Sequence, residues 1–72
     1  MTQAATFIVQ INGEPRRVAA GSTIAALVAE IGLDPARVAV ERNREIVARS
    51  TLATVTVEDC DTFEIVHFVG GG

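Results

Sequence analysis

Residues 21–33 read GSTIAALVAEIGL, and here the spacing of apolar side chains changes from the period of a strand to that of a helix. Ile24, Leu27, Val28 and Ile31 fall at i, i+3, i+4 and i+7, which is one stripe of an amphipathic helix. Ser22 or Thr23 can accept the first unpaired amide hydrogens as N-cap, and Gly32 stands where a left-handed C-terminal cap is wanted. One short helix with one apolar face can cover one face of one sheet.

The flanking segments supply that sheet. Upstream, TFIVQI at 6–11 puts Phe7, Val9 and Ile11 on one side and Thr6, Ile8 and Gln10 on the other, the alternation of a half-buried strand. NGEP follows, and because Asn-Gly tolerates positive φ at both positions, RRVAA is predicted to return antiparallel with Val18 turned inward. Downstream, DPAR reads as a turn with Pro35 fixing φ. VAVERN alternates Val38 and Val40, reverses at Asn43-Arg44, and EIVAR returns. TVTVEDCDTFEIVHFV reads as extended structure, a turn at Glu58–Asp61 and a last strong strand. The order is hairpin, helix, hairpin or meander, and final strand. It predicts an α+β fold, a ubiquitin-like β-grasp in which a mixed four- to five-stranded sheet carries one main helix on one face. The division is residues 1–69 as the β-grasp domain and 70–72 as a flexible glycine tail.

Length and composition narrow the function. Seventy-two residues make one domain, and at this size only about 60% of the unfolded chain's surface becomes buried, which leaves room for one core and no deep catalytic cavity. The net charge of −3, with no basic cluster and three phenylalanines as the only aromatics, suits a nucleic-acid backbone poorly. All six basic residues are arginine, so no side-chain amine is offered for isopeptide linkage. The single cysteine, Cys60, excludes an internal disulfide and any cysteine-rich metal site, and fits a reducing, cytoplasmic setting. There is no apolar run of membrane-spanning length and no secretory leader, so no membrane role is expected.

The segment HFVGGG, 67–72, carries the functional signal. Three glycines after an apolar strand hold no single geometry, and without β-carbons they can lie extended in a channel too narrow for side chains. Gly72 would supply a reacting carboxylate, with Gly70 and Gly71 as a thin leader; the bland reading is a frayed end. With Phe63 and Ile65 facing the helix, Val66 and Phe68 point to the open face of the sheet, as does Ile8, giving a candidate docking patch that leads into Val69 and the tail. The alternative is a strand end covered by a loop.

No set of groups converges on a chemistry of its own, so an independent enzyme is not expected. Flanked by Glu58, Asp59 and Asp61, a Cys60 thiolate is electrostatically disfavoured, and the residue reads as part of a turn. His67 has no second histidine and no Ser–Asp arrangement, which favours a structural or rim role. Glu58, Asp59, Asp61 and Glu64 lack the spacing and glycine of a calcium loop and read as a solvated turn, so no metal site is expected.

INGEP, GSTIAALVAEIGL, VAVERNREIVAR and EIVHFVGGG, in that order, resemble the sulfur carrier proteins of thiamine biosynthesis, the ThiS family, from about Phe7 to Gly72. One departure is visible: the turn often written Asp-Gly-Asp in that family is Asp59-Cys60-Asp61 here. The resemblance implies a relay. A ubiquitin-activating-type adenylyltransferase would use ATP to adenylate the Gly72 carboxylate, and sulfur from a cysteine desulfurase or another persulfide donor would displace AMP. The resulting thiocarboxylate would donate sulfur to thiazole synthase. The carrier itself would bind no cofactor; sulfur would ride as the terminal thiocarboxylate, with Gly72 reacting, Gly71 leading, and Ile8, Val66, Phe68 and Val69 as partner contacts. The small subunit of molybdopterin synthase, a carrier for tRNA thiolation, and a β-grasp binding module with an incidental tail are the alternative readings.

Overall fold

A computed structural model describes residues 5–68. Strand β1 (Thr6–Ile11) and strand β2 (Glu14–Ala19) form the first hairpin, in register from Thr6 opposite Ala19 to Ile11 opposite Glu14. Asn12 and Gly13 both take positive φ at the turn, at 51° and 87°, which is the geometry that matches the twist of the two strands. Helix α1 (Ile24–Glu30) follows, then a single 3-10 turn at Pro35–Arg37, strand β3 (Val38–Arg42), strand β4 (Glu45–Val47), a second 3-10 turn at Arg49–Thr51, and strand β5 (Thr62–His67). The β3–β4 turn again uses two positive-φ residues, Asn43 and Arg44.

The strands order as β2-β1-β5-β3-β4 in one mixed sheet, with β5 parallel to β1 and antiparallel to β3. This is the expected β-grasp. The inward positions Val9, Val18, Val38, Val40, Phe63 and Ile65 meet Ile24, Leu27 and Val28 of the helix, and Leu52 and Val57 close the core. Each fully buried side chain of this kind contributes about 1.5–3 kcal/mol.

Local chemistry sets the helix ends. Thr23 is the N-cap, its Oγ1 accepting from the Ala26 amide at 3.0 Å. At the other end the Leu33 amide reaches the Val28 carbonyl and the Gly32 amide reaches Ala29, with Gly32 at φ 90°, which is a Schellman cap.

Residues 54–57 differ from the expected extended structure. Only Thr56 makes a bridge, to Thr23. The reason is that the backbone here serves the helix: the Val55 and Leu52 carbonyls accept from the Ile24 and Ala25 amides at 2.9 and 2.8 Å, and Val57 donates to Ser22. First-turn amides have no partner inside a helix, and these carbonyls satisfy two of them. Among the described residues no helix is long and apolar enough to cross a membrane.

Candidate functional site

Strand β5 lies at the centre of the sheet, and residue alternation sends its side chains in two directions. Phe63 and Ile65 are buried against the helix, whereas Glu64 and Val66 face out on the open side. Val66 is 59% exposed and Phe68, just past the strand, 46%. Phe68 still belongs to the sheet, because its amide donates to the Arg37 carbonyl at 2.8 Å and continues the pairing with β3. The Arg49 guanidinium stands over the Phe68 ring, 5.7 Å from its centroid. The direction of the chain at the root of the tail is thereby fixed by a backbone hydrogen bond and a ring contact. Val69, Gly70, Gly71 and Gly72 lie outside the described residues.

Ile8 is on the same face and 47% exposed, but it does not join Val66 and Phe68 in one patch. Its carbonyl accepts from the Cys60 amide, which places it level with residue 60. Val66 is six residues further along β5, about 20 Å at the rise of a strand. The stagger of the parallel β1–β5 pairing, with Gln10 opposite Thr62, is what separates them. A more exposed apolar side chain, Ile46 at 84%, lies opposite Glu41 on the same face. The alternation of Ile46 against the half-buried Val47 in β4 is the signal in the sequence that identifies it.

The acidic turn is also more ordered than a solvated one. Asp61 is 4% exposed, its Oδ2 receiving Arg42 Nε at 2.9 Å and the Glu58 amide at 2.8 Å, and its Oδ1 receiving Asn43 Nδ2 at 3.0 Å. Asp59 accepts from the Ile8 amide at 2.9 Å. These carboxylates hold the start of β5 against β1 and the β3–β4 turn. Cys60 between them is exposed, at φ 69°. Among the described residues no group of three or more His, Cys, Asp or Glu side chains is placed to hold a metal ion. A shallow hollow between Ile11, Asn12, Glu14, Pro15, Arg16 and Ile31 brings no nucleophile and base together.

The chain is matched over residues 9–72 by the model of the ThiS family. It is 48% identical over 50 residues to the sulfur carrier protein ThiS of Bacillus subtilis, covering 69% of this chain and 76% of that protein. Over 62 residues it is 55% identical to a thiazole synthase of Paramagnetospirillum magneticum, and over 64 residues 44% identical to one of Magnetococcus marinus. The chain spans 86% and 89% of itself in those alignments, but only 19% and 20% of the length of those proteins. Its fold superposes on the crystal structure of the thiamine biosynthesis protein ThiS of Geobacter metallireducens with a TM-score of 0.70 and 30% identity, over 92% of this chain and all of that one.

Proposed function

That this chain belongs to the ThiS family is the premise from which we propose that it is a sulfur carrier of thiamine biosynthesis, with the Gly72 carboxylate as the reacting group. The observation that carries the reading is the family match, which extends from residue 9 in β1 to Gly72. A carboxylate is a poor acyl donor because its leaving group would be oxide. An adenylyltransferase of the ubiquitin-activating type removes that obstacle: the carboxylate oxygen attacks the α-phosphorus of ATP, pyrophosphate leaves, and AMP becomes the leaving group. The sulfane sulfur of a persulfide, carried by a cysteine desulfurase or another donor, then attacks the acyl carbon and expels AMP. A thiol cleaves the resulting acyl disulfide, and the thiocarboxylate is released on Gly72.

The chain's own part is to present the carboxylate and to be grasped. In this reading Gly70 and Gly71 lead to the reacting Gly72, Val66, Phe68 and Val69 serve as the partner contacts nearest to it in sequence, and Ile8 would serve only a partner that reaches the far end of the sheet. Two relatives named thiazole synthase contain within one polypeptide a segment similar to this chain, which supports thiazole synthase as the acceptor.

The test is intact-mass spectrometry of the chain after incubation with the adenylyltransferase, ATP and a persulfide donor, beside a version lacking Gly72. The expected result is a mass shift equal to exchange of one oxygen for sulfur, located at Gly72 and absent from the shortened chain. A shortened chain that still acquires sulfur overturns the assignment.

A further inference from the structure

The chain's two asparagines stand at corresponding places, each opening a turn between strands at φ 51°, Asn12 before Gly13 and Asn43 before Arg44. Each also holds strand β5 by its side chain. Asn12 exchanges two hydrogen bonds with the Ile65 amide and carbonyl, while Asn43 accepts from the Thr62 amide and donates to the Asp61 carboxylate. They differ in the residue that follows. The carbon of an asparagine side-chain amide is an electrophile one ring closure away from the next backbone nitrogen. That closure is fastest where the nitrogen belongs to glycine, which has no β-carbon in the way and the widest backbone freedom. Among the described residues the Gly13 amide donates no backbone hydrogen bond, and Gly13 is exposed, with nothing within 4 Å of the place a Cβ would take. At this turn the nucleophile is free and the electrophile is clamped.

We infer that Asn12 is a site of spontaneous covalent modification, deamidation, and that the seating of β5 controls it. The Gly13 nitrogen, its proton taken by hydroxide, attacks Asn12 Cγ. The new C–N bond closes a cyclic succinimide, and the Nδ2 group takes a proton from water and leaves as ammonia. Water then opens the ring at either carbonyl. Breaking the Cγ–N bond gives aspartate; breaking the bond between the main-chain carbonyl and the Gly13 nitrogen gives isoaspartate, with the chain rerouted through Cγ. While Asn12 holds Ile65, Cγ cannot turn toward the Gly13 nitrogen unless both hydrogen bonds break, so the reaction waits on local opening of β5 from the turn. Neither product restores the clamp. Aspartate sets a carboxylate oxygen against the Ile65 carbonyl, where an N–H donor stood at 3.2 Å. Isoaspartate lengthens the backbone inside a turn that pairs Ile11 with Glu14, and so displaces the side chain from Ile65 altogether. A passing opening of the central strand thereby becomes a permanent loosening at Ile65.

The experiment is peptide mapping by mass spectrometry of the chain held at mildly alkaline pH, folded in buffer and unfolded in guanidinium chloride, with aspartate and isoaspartate resolved by chromatography. In the unfolded chain Asn12 is expected to convert at least about tenfold faster than Asn43, whose neighbour Arg44 carries a side chain. In the folded chain Asn12 is expected to convert at least about tenfold more slowly than in the unfolded one, the factor that two hydrogen bonds of ordinary strength supply. Equal rates at Asn12 in the folded and unfolded chain overturn the control by β5. Equal rates at Asn12 and Asn43 in the unfolded chain overturn the choice of site. The consequence is tested on Asn12→Asp, the direct product, which is expected to have a Tm several degrees lower and amide exchange raised more at Ile65 than at Val9. A Tm and an Ile65 exchange rate equal to those of the unmodified chain overturn the loosening. The ratio of folded to unfolded rates is measured on the unaltered chain, so it decides the control by β5 even where circular dichroism shows that Asn12→Asp does not fold.

Discussion

Asn12 and Ile65, 53 residues apart in the chain, exchange two hydrogen bonds: Asn12 Oδ1 accepts from the Ile65 amide at 2.8 Å, and Asn12 Nδ2 donates to the Ile65 carbonyl at 3.2 Å. A side-chain amide at the first turn thus does for β5 what one more residue of β1 would have done. Asn43 makes a related exchange on the other side, its side-chain Oδ1 accepting from the Thr62 amide and its backbone N–H donating to the Thr62 carbonyl. Both asparagines reach these positions because positive φ turns them back toward the central strand.

Asn12→Gly keeps the turn unstrained and removes only the amide. It is expected to cost about 2 kcal/mol, because a partly buried N–H and C=O of Ile65 lose their partners together. Urea denaturation measures the loss, and hydrogen exchange at Ile65 is expected to rise more than at Val9. A cost near zero would show that water replaces the amide without penalty.

Asp61→Asn removes the charge that Arg42 faces across 2.9 Å. Arg42 keeps some contact with solvent, so the expected loss is about 2–3 kcal/mol, below the range for a fully enclosed pair. A double-mutant cycle with Arg42→Met separates the pair from the two hydrogen bonds that Asp61 accepts from Asn43 and Glu58.

Cys60→Gly is expected to stabilise the chain. The left-handed backbone costs an L-residue roughly 1–2 kcal/mol, of which glycine's greater freedom in the unfolded state returns about half. The net gain of about 0.5–1 kcal/mol corresponds to a rise of several degrees in Tm for a domain of this size, read by calorimetry. Sulfur loading should be unaltered.

Phe68→Asp and Ile8→Asp separate the two ends of the open face. The first is expected to raise the KM of the chain for the adenylyltransferase by tenfold or more with the fold intact. The second is expected to leave KM within about twofold, because Ile8 lies about 20 Å from Val66. Equal effects would restore a single continuous patch.

What was legible in the sequence was local. The Thr23 and Gly32 caps, the Asn12-Gly13 and Asn43-Arg44 turns and the alternation of β5 all depend on neighbours within a few residues, and each stands where the residues predict it. The family resemblance was legible too, in the ordered combination of four segments from about Phe7 to Gly72, and the family match over residues 9–72 agrees with it. What escaped depends on register between distant segments. Residues 54–57 have strand composition, but the Val55 carbonyl, with that of Leu52, is committed to the first turn of α1. Asp61 reads as a surface acid until pairing brings Arg42 and Asn43 to it. Ile8 shares a face with Phe68, yet the parallel stagger of β1 against β5, invisible in either strand alone, keeps them apart.

In the order β2-β1-β5-β3-β4 the two hairpins have no pairing with each other except through the strand made last among the described residues. During synthesis, the first hairpin and the second therefore wait, with Val9, Val40 and the apolar stripe of the helix unsealed, until residues 62–67 are available. Completion of the sheet and creation of the face beside the tail are one event. On the carrier reading, an enzyme that gripped that face would inspect, in the same act, whether the carrier had been finished before any ATP was spent on it.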